Sequence, residues 1–231
     1  MSGVGETPEP ADGSSPKAEG ASAPTSVVVD DARSRKILGP AWSGAAHFAE
    51  MLAHEGELRG LIGPRELPRL WTRHVLNSAA VAPYLPATGS LADVGSGAGL
   101  PGIILALMRP DLDVHLIEPM ERRIAWLAEV CDELDLDNVT LHQVRAEELH
   151  GRLMVSAVTA RAVAALDKLA RITMPLVRPG GILLAQKGQR AAEEIEAAGA
   201  VLRKLGAKTT VLHEVDLLDD GDITRVVEVR K

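Results

Sequence analysis

Residues 93–102 hold the densest set of groups that could do chemistry. Asp93 is followed by Gly95, Gly97 and Gly99, then Leu100, Pro101 and Gly102. Glycines at this spacing let the backbone take positive φ and let a ligand approach without meeting a Cβ. The apolar run before them (residues 91–94) reads as a strand, and the apolar run after them (residues 103–108) as a helix. A strand, a tight turn and a helix N-terminus present free N–H groups at the carboxyl edge of a parallel sheet, where nucleotide-like ligands bind.

The turn discriminates between such ligands. A dinucleotide fingerprint needs a third glycine where this chain has Leu100, so the pattern is G-x-G-x-G. Asp93, two residues before the first glycine, is a poor neighbour for a pyrophosphate. It suits a ligand with an ammonium group, or else it binds the turn's own amides. Glu118 lies 23 residues after Gly95, at the end of the second strand. An acid there accepts the two ribose hydroxyls of a nucleoside, or is a solvated acid at a helix start. Asp93, the glycine turn and Glu118 together point to S-adenosyl-L-methionine. Ala146 and Glu147 follow the third strand, where a carboxylate and a backbone N–H can read adenine; a capped helix start is the alternative. Arg161, at the end of the fourth strand, could pair with a cofactor carboxylate, a phosphate or Glu147, or make a structural salt bridge.

Methyl transfer from a sulfonium is an in-line displacement, and the catalyst contributes mainly alignment. A ring nitrogen such as guanine N7 carries a free lone pair and no proton, so its methylation needs no general base. The sequence shows no obvious nucleophile–base pair, which is compatible with such a reaction, and no residue is assigned a catalytic role. No H-E-x-x-H or other metal spacing is present, and Cys131 is the only cysteine, so no metal is expected. An Asn-Pro-Pro-Tyr-type motif, frequent where adenine amino groups are methylated, is absent after the fourth strand. Arg73, His74, Arg122, Arg123, Lys187 and Arg190 are the basic residues that could meet RNA phosphates at the cleft rim; a solvated surface charge is the alternative for each, and a packed, hydrogen-bonded side chain for His74.

The elements that must position these groups follow from periodicity. Strands are expected at 90–94, 114–118, 139–144, 155–160, 182–186, 208–213 and 224–229, with helices at 101–108, 120–134, 165–177 and 190–205 and a turn at 178–181. Alternation of strand and helix gives a parallel sheet with right-handed crossovers. The last two strands, with no helix between them, read as an antiparallel pair. The expected fold is α/β: a Rossmann-like, seven-stranded, mostly parallel sheet with a terminal antiparallel strand, similar to the class I S-adenosylmethionine-dependent methyltransferases. Residues 32–86 form a small helical cap, its two helices separated by Gly63 and Pro64 and the second running over 67–81. The sheet domain is 87–231. Residues 1–31 carry six acids and one lysine, a net −5 of the chain's −7, and read as a disordered acidic tail. No run of about 18 apolar residues and no leader pattern occurs, so a cytoplasmic protein with no membrane partner is expected.

Seven segments, in order over about residues 35–231, resemble the RsmG (GidB) family, which makes 7-methylguanosine in the decoding region of 16S rRNA. They are Arg69-Leu-Trp-Thr-Arg73-His74-Val-Leu-Asn77-Ser78, Asp93 through Gly102-Ile103, Leu116-Ile-Glu118, Arg122-Arg-Ile124, Arg145-Ala-Glu147, Val158 through Arg161-Ala-Val163, and Lys187-Gly188-Gln189. The resemblance implies a 16S rRNA guanine-N7 methyltransferase. It implies cofactor contacts from Gly95, Leu100, Ala146, Glu147 and Arg161, an Arg73-His74 segment near the rRNA entrance, and 16S rRNA or the small ribosomal subunit as partner. A monomer is the expected state. Glu118 stands where the family usually has Asp, and Gly60-Leu-Ile where it often has Asn-Leu-Thr. A small-molecule methyltransferase using the cap as a lid, and a non-catalytic RNA or ribosome-assembly binder, are the alternatives. Leu100 disfavours an NAD-linked enzyme.

Overall fold

A computed structural model describes Gly3, residues 27–219 and residues 221–231. The expected tail lies mostly outside these residues. Its described end packs against the body: Val27 and Val28 lie on the core, and Asp31 caps the first helix by accepting the Ser34 N–H at 2.6 Å.

Seven strands form one sheet: β1 (Gly89–Val94), β2 (Leu112–Ile117), β3 (Val139–His142), β4 (Val155–Arg161), β5 (Val177–Lys187), β6 (Thr209–Val215) and β7 (Thr224–Arg230). Their spatial order is β3-β2-β1-β4-β5-β7-β6. Strands β1 to β5 pair in parallel, and β7 runs antiparallel to both β5 and β6. Strand order reverses between β1 and β4, which opens a crevice outside their carboxyl ends. The central strands are apolar on both faces because both are covered: β4 is buried over its first six residues.

Successive residues point to opposite faces. Leu91, Ala157 and Leu184 join a core shared with the cap, whereas Ala92, Val158 and Ala185 join the core under the helices on the other side. The cap helices α1 (Ala32–Leu38) and α2 (Trp42–Glu55) are therefore one face of the sheet's own core. Phe48, Leu52 and Trp71 are buried there against Ile103, Leu116 and Trp126. The polar ends of the two buried tryptophans are satisfied: Trp71 Nε1 donates to Ser34 Oγ at 3.1 Å and Trp126 Nε1 to the Ala98 carbonyl at 2.9 Å.

The expected helix over 67–81 is broken into other geometries. A 3-10 turn (Leu67–Arg69) leads into a π-helix (Leu70–Leu76), followed by the α-turn α3 (Asn77–Ala79). Apolar spacing reports a buried stripe, and a widened helix keeps much the same stripe, so periodicity could not separate them. π-helical turns are rare and concentrate at functional sites.

The remaining helices are α4 (Gly102–Met108), α5 (Glu121–Glu133), α6 (Leu166–Thr173) and α7 (Ala191–Lys204). The expected turn at 178–181 lies inside β5, which begins at Val177 with an irregular register against β4. Gly180, at φ 78°, supplies that irregularity. Strand β2 ends at Ile117, which places Glu118 just beyond the strand.

Candidate active site

Two cavities lie side by side at the carboxyl ends of the parallel strands. The first, of about 460 Å³, is lined by the ends of β1 and β2 and by the loops after β3 and β4. Of the residues expected to hold a cofactor, Gly95, Glu118, Ala146, Glu147 and Arg161 line it. Ile117, Met120, Val163 and Ile172 give it apolar walls. Gly95 has φ 73°, and a β-carbon there would stand 2.9 Å from Val163 Cγ2, so the turn closes tightly on the post-β4 loop.

Glu118 is 2% exposed, and protein groups already hold it. Its Oε2 accepts the Gly97 N–H at 3.0 Å and lies 3.4 Å from Arg123 Nη1, and its Oε1 accepts the Met120 N–H at 3.0 Å. The glycine turn and the acid are thus locked together. Arg123, expected at the RNA rim, is instead a wall of this first cavity.

The other turn residues work behind the wall. Asp93 is fully buried, and its Oδ2 accepts the Gly102 N–H at 3.0 Å while its Oδ1 has no partner among the described residues. It does not line the cavity, so the structure fits the second of its two expected roles, binding the turn's own amides. Gly97 serves as the N–H donor to Glu118. Gly99, at φ 102°, is a packing glycine: a β-carbon there would meet Ile103 Cγ1 at 2.7 Å and Phe48 Cζ and Leu127 Cδ2 at 3.3 Å. Leu100 is 6% exposed and belongs to the core.

Burial pushes the Asp93 carboxyl up from its ordinary 3.8 to about 7, against the Gly102 N–H and the Arg161 charge, which favour ionisation. Between these values the folded state holds a proton that the unfolded chain has lost. Asp93 therefore costs stability as pH rises from about 4 to about 7, and above that the cost is constant. Asp93→Asn keeps an acceptor for Gly102 and carries no charge. Its melting temperature should gain on the wild type across that window, by up to about 3 °C per kcal/mol of relieved cost. A gap that stays flat with pH would show that Asp93 does not titrate there.

The second cavity, of about 530 Å³, shares Arg161, Ala162 and Val163 with the first and adds Gln186, Lys187, Gly188, Arg190 and Glu194. Ala162 at this seam has φ 55°, a strained value for a residue with a side chain. Lys187 is 7% exposed; its Nζ donates to the Ala164 carbonyl at 2.6 Å and pairs with Glu194 at 2.7 Å. It braces the post-β4 loop rather than projecting from the rim. Arg190 is exposed at the same cavity. Arg73, also exposed, lines a neighbouring cleft with Lys187, Gln189 and Arg225 and lies 3.8 Å from Asp222. Arg122 lies apart from both, beside the turn at Gly60, whose φ of 62° favours glycine there. His74 reaches Arg161 Nη2 through its Nδ1 at 3.2 Å and Glu66 through its Nε2 at 2.9 Å.

Residues 43–218 match the model of the family described as rRNA small subunit methyltransferase G. The chain belongs to the rRNA small subunit methyltransferase G family. The ribosomal RNA small subunit methyltransferase G of Beutenbergia cavernae is 66% identical over 205 residues, covering 89% of this chain and 97% of that protein. The one from Streptomyces coelicolor is 53% identical over 183 residues, covering 78% and 77%. Among solved structures, a SAM-dependent methyltransferase from Aquifex aeolicus superposes with a TM-score of 0.52 at 18% identity, covering 76% of this chain and 97% of that one. That likeness confirms the class I methyltransferase fold. In this member of the G family, reasoning from sequence missed Arg145, Met120 and Val163 as cavity walls. The signal available for Arg145 and Met120 was position: each lies within three residues of the carboxyl end of a strand in the order set by the glycine turn.

Among the described residues no group of three or more side chains could hold a metal ion, and no helix is long and apolar enough to cross a membrane.

Proposed function

We propose that this chain transfers the methyl group of S-adenosylmethionine to N7 of a guanine in 16S rRNA of the small ribosomal subunit. The observation that carries this reading is the pair of adjoining cavities that share Arg161: one with a buried carboxylate just beyond β2, the other with the exposed Arg190. The first suits the cofactor. Glu118 already takes three interactions, and a carboxylate accepts about four, so one position remains for a ribose hydroxyl. Apolar walls suit adenine, with Glu147 and the backbone at Ala146 beside it. When bound, S-adenosylmethionine supplies an electrophilic methyl on a sulfonium. Arg161, at the seam, is placed to pair with its carboxylate, and the second cavity receives the base.

The chain's own residues then align the acceptor and exclude water. N7 brings its lone pair and no proton, so the pairing of Lys187 with Glu194 leaves nothing wanting: no general base is required. A monomer is the working state proposed. Residues 32–86 act as the cap that forms one side of the RNA entrance, over the sheet domain of 87–231.

The direct test is transfer of labelled methyl from S-adenosylmethionine to unmodified small subunits or their 16S rRNA, with the modified nucleoside identified. Label in 7-methylguanosine is expected. A cofactor-loaded protein that labels no ribosomal substrate, or that labels an exocyclic amine or a ribose, would overturn the reading. Arg73→Ala and Arg190→Ala should each raise the KM for RNA severalfold and lower the slope of log affinity against log salt by about one, with cofactor affinity unchanged. An unaltered salt slope would remove that arginine from the RNA face.

A further inference from the structure

His74 is expected from sequence to lie near the rRNA, yet both of its ring nitrogens are already engaged. Arginine can only donate, so His74 Nδ1 must be the acceptor of the Arg161 N–H at 3.2 Å. The Glu66 carboxylate can only accept, so His74 Nε2 carries the proton and donates at 2.9 Å. One neutral tautomer satisfies both bonds, and no ring nitrogen remains for a phosphate. The histidine side chain is 19% exposed and its main chain is pinned too, with Ser78 Oγ donating to the His74 carbonyl at 2.7 Å.

At the other end of this relay, Arg161 is shared by both cavities. Asp93 lies behind it, close enough for each charge to act on the other. We infer that His74 is a positioning residue, which holds the Arg161 guanidinium at the seam between the cavities and is itself oriented by Glu66. This rests on the reading of the first cavity as the cofactor's. A protonated His74 would set an N–H against the Arg161 N–H and break the relay. Burial, then the Arg161 charge, holds His74 below the usual histidine range, while Glu66 opposes them; Arg73 adds a smaller push in the same direction as Arg161. Arg69 and Arg73 also act on Glu66.

The test uses His74→Phe, His74→Asn and Glu66→Gln in the full-length, RNA-free protein, titrated calorimetrically with S-adenosylmethionine. His74→Phe leaves Arg161 without its acceptor and should weaken binding about tenfold, the usual scale for a hydrogen bond to a charged group. His74→Asn offers Oδ1 to Arg161 and should stay within about threefold of wild type. In methyl-transfer assays the KM for RNA should change less than about twofold in all three. Glu66→Gln should weaken binding modestly and move the acid limb of cofactor affinity to lower pH, because Glu66 supports the protonated ring. Wild-type affinity in His74→Phe, or a defect confined to the KM for RNA, overturns the inference. If His74→Phe does not fold, Glu66→Gln decides: its carboxylate side chain is 41% exposed, and unchanged affinity with an unmoved acid limb is equally fatal. A wild-type protein that binds no cofactor removes the reading of the first cavity and this inference with it, whereas wild-type binding with no variant effect removes this inference alone.

Discussion

Glu118→Ala is expected to cost at least about a hundredfold in cofactor affinity and to lower the melting temperature by about 10 °C. The side chain is almost wholly enclosed, and it ends three interactions at once: the Gly97 and Met120 N–H groups and the Arg123 guanidinium. Its removal takes the acceptor from two part-buried N–H groups, at up to about 1–3 kcal/mol each before water at the cavity offsets part of the loss. It also leaves Arg123 without its carboxylate, in a site where that guanidinium already has an unpartnered Nε. Arg123 keeps 32% of its side chain exposed, so water offsets part of its loss, and the overlapping effects together amount to about 3 kcal/mol. At about 2–4 °C per kcal/mol for a domain of this size, the shift is readily measured by calorimetry. Glu118→Gln separates the two losses. It keeps the volume and one acceptor but turns an NH2 toward an N–H, so it should retain more stability than affinity. A Glu118→Ala protein that still binds S-adenosylmethionine near wild-type strength would show that the first cavity is not the cofactor site.

Gly102→Ala should destabilise the protein by about 3 kcal/mol, although alanine is the better helix former by about 1 kcal/mol. Gly102 opens α4, and a β-carbon there would lie 2.4 Å from Leu116 Cδ2, 2.6 Å from Asp93 Oδ2 and 3.0 Å from Asp93 Cβ. Leu116 and Asp93 are both fully buried and have nowhere to retreat. Any retreat by the Asp93 carboxylate lengthens its hydrogen bond from the Gly102 N–H. Steric cost therefore outweighs helix propensity. Gly97→Ala is the matched control in the same turn. A β-carbon there meets only the Gly95 carbonyl, at an ordinary 3.7 Å, and the cost is the left-handed backbone at φ 57°, about 1–2 kcal/mol. Chemical denaturation of the two variants should rank Gly102→Ala well below Gly97→Ala. The reverse order would show that backbone strain, not packing, governs this turn.

The glycine turn also shows what was legible in sequence and what was not. Residue type and spacing located the turn, the acid at Glu118, the pair Ala146 and Glu147 on the cavity wall and the seam arginine, because each follows from strand order. They could not sort the glycines. Gly95 yields space beside a cavity, Gly97 yields an N–H and Gly99 yields space to Phe48 and Leu127, and all three look alike in sequence. Nor could they sort the cations. Arg123 and Lys187 read as rim charges, but tertiary contacts turn one toward Glu118 and the other toward Glu194. The π-helix was hidden for a different reason, since a buried stripe is common to both kinds of helix. Strand order, parallel pairing and the closing antiparallel strand were all accessible, because they depend on pattern over whole segments rather than on the direction of one side chain.

The position of β7 between β5 and β6 has a consequence for how the chain is made. The rim strand leaves the ribosome before the strand that attaches it to the sheet. Until residues 224–230 emerge, β5 presents a naked row of amides and carbonyls flanked by Leu183, Leu184 and Ala185, all buried in the finished sheet. Such an edge is a template for pairing with another chain. Nascent chains halted between β6 and β7 should therefore be more prone to aggregate than chains halted after β7, and the sheet closes only once β7 is added.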